Sequence, residues 1–265
     1  MSWWCSATGT AWTWQWTAYP GVWLFVAALV LGWWRGADRF AAGEPAEARR
    51  WRRAAFALGA LLLWAILDWP VGALGAGYLV SVHTAQWLVI SLIVPPLLWL
   101  GVPAAAGERW ARLPGWGVAR VLTRPAVAFV LFNTVLIVSH VPAVVDALKA
   151  SPGGSFVLDA GWLGAGLVMW APVAGPPAAV RRLSPPAAMG YLFLNNLPAI
   201  VPFAFLTFSD NPIYRVFELA PRIGGVPAMW DQTLAGLLMK PTGDMLVIIA
   251  IAIVFFRWQR EEGTA

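Results

Sequence analysis

The chain has 265 residues, of which 60% are hydrophobic and only 12% charged, with a mean hydropathy of +0.67. A soluble domain needs about 25% charged residues to clothe its surface, so most of this surface faces something other than water. That excludes a soluble globular or disordered protein. The single cysteine, Cys5, excludes an internal disulfide or a CxxC site. The formal charge of +5 comes from basic residues in short loops between apolar runs, which is a topology signal rather than a nucleic-acid footprint.

Nineteen tryptophans and 21 prolines fit lipid interfaces and interrupted membrane helices. The N-terminus lacks both the basic start of a cleavable signal and the apolar run of a lipoprotein signal, so the first segment is expected to be retained. Crossing a bilayer core takes ~20 apolar residues in helical form, and the runs here are continuous rather than alternating, which disfavours strands. In chain order the predicted helices are Thr17–Trp34, Ala54–Leu67, Val82–Leu100, Pro125–His140, Phe156–Val173, Pro186–Phe208 and Met229–Trp258. Val71–Ser81 reads as an interfacial or re-entrant piece. Residues 1–16, with the run Trp12 to Trp16, form an outer interfacial tail, and 35–53 an Arg-rich cytoplasmic loop that also meets anionic head groups.

Basic residues set the orientation. Arg35, Arg39, Arg49, Arg50, Arg52, Arg53, Arg109, Arg112, Arg120, Arg124, Arg181, Arg182, Arg257 and Arg260 fall on one side, and only Lys149, Arg215 and Arg222 on the other. The expectation is a single all-α membrane domain, 1–265, of seven helices in a bacterial inner membrane, N-terminus outside and C-terminus cytoplasmic. No internal repeat marks it as a transporter with inverted halves.

An ionisable residue inside a span costs roughly 2.5–3.5 kcal/mol on insertion scales, so each asks for a partner or a task. His83, His140, Asp159, Asp231, Lys240 and Asp244 are such residues, and both histidines of the chain are among them. Direction of travel places His83, His140, Asp159 and Asp231 in the outer third of the membrane. His83 shares a helix face with Gln86, and Gln232 shares one with Met239, which lies ~10 Å deeper at ~1.5 Å per residue. Imidazoles at the mouth of a cavity and a thioether below it would suit a soft ion such as Cu(I). Each residue also has an ordinary role: interfacial hydrogen bonding for the histidines, a helix N-terminus for Asp231, an i,i+4 pair for Lys240 and Asp244, and core packing for Met239. Asn195-Asn196 ahead of Pro198 can satisfy carbonyls that the proline leaves free.

Five stretches carry a family resemblance: H-T-A-Q-W-L-V-I-S-L-I-V-P-P-L-L-W-L-G-V-P (His83 to Pro103), S-H-V-P (Ser139 to Pro142), L-D-A-G-W through M-W-A-P-V (Leu158 to Val173), F-S-D-N-P-I-Y with A-P-R (Phe208 to Arg222), and D-Q-T-L-A-G-L-L-M (Asp231 to Met239). In this order they resemble the CtaG family of cytochrome c oxidase assembly factors, seven-helix proteins implicated in supplying or inserting copper. The resemblance implies metal ligands at His83, His140 and Met239, with Gln86, Asp159, Asp231 and Gln232 as supporting polar groups. The chain departs from the family pattern at Trp87, where a second histidine is usual, at Leu158-Asp159 in place of Glu-His, and at Lys240 in place of an aromatic residue.

The resulting expectation is a non-enzymatic assembly factor handling Cu(I) for a haem–copper oxidase at the outer side of the inner membrane. Its partners would be membrane lipids and oxidase subunits or another large membrane complex, and no nucleic acid. The alternatives are a metal-free accessory or structural subunit of such a complex, and a haem or quinone protein with His83 and His140 as axial ligands. No Ser/His/Asp set or Gly-rich phosphate loop points to an enzyme.

Overall fold

The computed structural model describes residues 2–41 and 43–263, and every regular element among them is helical. Met1 of the expected outer tail and Ala42 of the Arg-rich loop lie outside the described residues. Helix α1, Pro20–Gly36, opens on a proline at its first position, where the missing N–H is lost to the helix in any case. Helix α2, Ala46–Leu67, begins eight residues before the predicted Ala54, so Arg49, Arg50, Arg52 and Arg53 ride on its first turns rather than in a loop. Arginine is a good helix former whose stem reaches past apolar surface to water. Two of these arginines are held by acids. Arg52 pairs with Glu44, and Arg53 grips Asp38 through Nε at 2.9 Å and Nη2 at 2.8 Å. Helix α3, Val71–Gly77, follows at a bend of 51° and occupies most of the stretch read as re-entrant.

Helix α4, Val80–Leu88, a π-helical turn at Val89–Ile93 and helix α5, Val94–Leu100, run on as one 21-residue span. The pair Pro95-Pro96 does not break it. The wider π turn just before the prolines changes the ladder where their missing N–H groups would have left carbonyls unpaired. Helices α6, Ala104–Ala111, and α7, Trp116–Leu122, lead to α8, Pro125–Val138, at a 74° bend. A short α9, Pro142–Lys149, precedes the long α10, Pro152–Ala174, whose start is capped by Ser151 Oγ accepting from the Gly154 N–H at 3.1 Å. The predicted sixth helix is two pieces, α11 (Pro185–Asn196) and α12 (Ile200–Phe208), parted around Pro198. A turn of helix, α13 (Arg215–Glu218), precedes α14, Ala228–Glu262.

Five helical stretches are long and apolar enough to cross a membrane, or up to seven if each bent pair, α2 with α3 and α7 with α8, is one span. Leu, Ile, Val and Phe side chains stand exposed along α1, α11, α12 and α14, as a lipid-facing perimeter requires. Helices α4, α5 and α10 form the interior, with α14 against α4 and α8 against α10. The N-terminal segment departs from a purely interfacial tail. Trp14 and Trp16 are exposed, but Trp4 and Cys5 are buried, and the chain is pinned by backbone bonds from Ala7 N–H to Lys149 O (3.0 Å) and from Gly21 N–H to Trp3 O (2.9 Å).

Candidate functional site

His83 of α4 meets Ser139 and His140, just past the end of α8, around one indole of α10. Trp162, on α10, is wholly buried and donates from Nε1 to Ser139 Oγ at 2.9 Å. Its ring centroid lies 5.0 Å from that of His83 and 6.4 Å from that of His140, the latter nearly parallel. Trp87 meets the His140 ring edge-on at 5.5 Å. Phe217 and Tyr214 cover the pair from the loop after α12: Phe217 packs on His83 at 5.4 Å, and Tyr214 donates its hydroxyl to the His140 carbonyl at 3.0 Å. Asp146, on α9, anchors that loop by accepting from the Val216 N–H at 2.9 Å.

Both histidines are held in the same manner. His83 Nδ1 lies 3.2 Å from the Gly75 carbonyl, and His140 Nδ1 lies 2.8 Å from the Leu136 carbonyl. A carbonyl only accepts, so in each neutral ring the proton sits on Nδ1 and the Nε2 lone pair is free. Both Nε2 atoms are buried without a hydrogen-bond partner among the described residues. A buried polar atom left unpaired is uncommon and calls for a reason. An imidazole with Nδ1–H on a backbone carbonyl and Nε2 free is the form a metal-binding histidine takes.

The supporting residues serve positions rather than the imidazoles directly. Asp231 lies in the first turn of its own helix, as expected, and from there its carboxylate reaches across to α4. It accepts from the Val80 N–H (2.5 Å), the Ser81 N–H (3.2 Å) and the Ser81 hydroxyl, capping the helix that carries His83. Gln86 donates to the Ile66 carbonyl at 2.9 Å, while its Oε1 is buried against Gly75, the residue whose carbonyl holds His83. A Cβ there would come within 2.2 Å of that oxygen, so any larger residue would push the Gln86 amide aside. Gln232 accepts from the Ile213 N–H at 2.7 Å and donates to the Asn211 carbonyl at 3.3 Å, fixing the covering loop.

Asp159 bonds to neither histidine. Its Oδ1 pairs with Lys149 Nζ at 3.2 Å and its Oδ2 accepts from Trp4 Nε1 at 2.8 Å. Lys149 is therefore not an outer-loop charge: it is fully buried, and its ammonium sits 5.6 Å above the Trp162 ring. Met239 is buried too, but it lines a cavity of about 10 Å³ with Trp87, Met169, Asn195 and Asn196, and neither histidine contributes to that lining. Trp87 belongs to both surroundings. Among the described residues no group of three or more His, Cys, Asp or Glu is placed to hold a metal ion.

Lys149, Trp4 and the covering pair Tyr214 and Phe217 are the members that sequence reading missed. For Lys149 a signal existed. The chain has only two lysines, Lys149 and Lys240, and places arginine at every other basic position.

The family model for the cytochrome c oxidase caa3 assembly factor (Caa3_CtaG) matches residues 9–261. Uncharacterized proteins of Mycobacterium bovis and Mycobacterium tuberculosis are each 26% identical to the chain over 255 positions, covering 84% of it and 37% of the relative. One from Mycobacterium leprae is 26% identical over 209 positions, 69% of this chain and 30% of its own length. The chain thus spans about a third of the length of the curated relatives it matches. No solved structure matches it. With the match running over nearly the whole sequence, the chain belongs to the cytochrome c oxidase caa3 assembly factor family.

Proposed function

We propose that this chain is a non-enzymatic factor in the assembly of a haem–copper oxidase, and that it handles Cu(I) as cargo at the outer side of the membrane. One observation carries the copper reading: two buried imidazoles packed against the same indole, Trp162, each with Nδ1 committed to a carbonyl and, among the described residues, Nε2 without a partner. Two neutral nitrogens suit Cu(I), which accepts few ligands and soft donors. With no third donor beside them, the histidines would bind the ion weakly enough to pass it on. Met239 and Met169 line the neighbouring cavity beyond Trp87, a place for thioether donors to receive it.

The test is metal analysis of the purified protein loaded under reducing conditions, beside a His83→Ala, His140→Ala double variant. The expected result is stoichiometric Cu(I) that the double variant fails to retain. Trp87→His adds a nitrogen beside His140 and should raise affinity, since Trp87 already packs on that ring. Asp159→His does not serve the same end, because Asp159 is committed to Lys149 and Trp4. Copper retained equally by wild type and the double variant would overturn the histidine site, and copper retained by none of the three proteins would leave the metal-free accessory subunit as the reading.

A further inference from the structure

Helix α14 carries Lys240 and Asp244 on one face, and the site above uses neither. Asp244 lies fourteen residues after Trp230 and thirteen before Arg257. At ~1.5 Å per residue it is about 20 Å from each, at the middle of the bilayer. The pair meets the gap between α11 and α12: Asp244 Oδ1 accepts from Lys240 Nζ and from Asn196 Nδ2 (2.5 Å), and Lys240 Nζ lies 3.5 Å from the Asn196 carbonyl. Lys240 is largely covered. The Asp244 side chain is 39% exposed, and its Oδ2 has no hydrogen-bond partner among the described residues. Its neighbours on α14, Met245 and Ile248, are exposed in the manner of lipid-facing residues.

We infer that this face is a docking surface for a transmembrane helix of a partner protein, one that brings a hydroxyl or amide donor to Asp244 at mid-bilayer. The argument is complementarity. A carboxylate oxygen turned toward hydrocarbon lacks the donor that water would supply. Lipid tails have no donor, and head groups lie half a bilayer away. A second copy of this chain meeting the same face would set Asp244 against Asp244, acceptor against acceptor. An apolar helix with one central serine, threonine or asparagine satisfies both the oxygen and the apolar residues around it. This inference stands apart from the copper reading, since it needs neither histidine.

The experiment uses the full chain, labelled at its C-terminal tail, in phosphatidylcholine vesicles with dye-labelled leucine–alanine transmembrane peptides of about 20 residues. One peptide has a central asparagine and the other a central alanine, both at dilutions where peptides alone stay apart. Energy transfer should report association about tenfold tighter for the asparagine peptide. The preference should vanish in a Lys240→Leu, Asp244→Leu double variant, in which apolar residues replace the pair and the fold is kept. Ile248→Trp, one turn along the face, leaves the pair intact and should also weaken association by blocking approach. Equal binding of the two peptides, or a preference that survives both variants, would overturn the proposal. So would transfer between two labelled copies of the chain that the double variant abolishes, since the occupant would then be the chain itself.

Discussion

Lys149 and Lys240 are both largely covered and each pairs with an aspartate, whereas the arginines decorate the helix ends. A lysine is a compact point charge that one carboxylate can match, while a guanidinium needs several acceptors. The Lys149–Asp159 pair is almost wholly covered, with side-chain exposures of 1% and 4%. Such a pair contributes little net stability compared with apolar residues of like size, yet breaking it leaves a charge stranded. Asp159→Ala is therefore expected to cost about 3–5 kcal/mol. A Lys149→Met, Asp159→Leu double variant should fall much closer to wild type. Thermal unfolding in detergent compares them, and a double variant as unstable as the single would mean that the pair, and Trp4 with it, is a net stabiliser.

At the scale of elements, the close approach of α10 to the π turn is what brings Trp162 up to His83. It depends on Gly166, where a Cβ would fall 2.6 Å from the Ser91 carbonyl oxygen and 2.7 Å from the Pro95 ring. Gly166→Leu should destabilise by about 1–3 kcal/mol or more, because neither a backbone nor a proline ring can step aside. Gly164→Leu, on the lipid side with open space around it, should leave the melting temperature unchanged. Helices of this kind were legible in the sequence because long apolar runs are their own signal. The π turn was not, since nothing in V-I-S-L-I announces a wider ladder. Nor was the early start of α2, because arginines at a helix N-terminus and arginines in a loop look alike in composition. His83 and His140 stood out as polar residues in apolar runs. Their common neighbour Trp162 closes the L-D-A-G-W stretch, yet among nineteen tryptophans only tertiary packing shows that it lies between them and the buried lysine.

For the molecule as a whole, removing Lys149 from the loops sharpens the charge asymmetry, leaving Arg215 and Arg222 against the fourteen arginines expected inside. Reporter fusions at Gly115, between α6 and α7, and at Gly153, at the start of α10, should give opposite signals, cytoplasmic for the first and external for the second. Equal signals would overturn this orientation. The N-terminal segment adds a constraint in time. Trp4 is made 155 residues before Asp159, the carboxylate that receives its N–H. At synthesis rates of about 5–20 residues per second, that wait is roughly 8–30 s. For that interval the early chain has no place to seat its buried indole, so this end of the bundle closes only after α10 has emerged. The segment around Trp4 thus settles only when a helix made long after it arrives, so its seat is built last at the place where its chain came early.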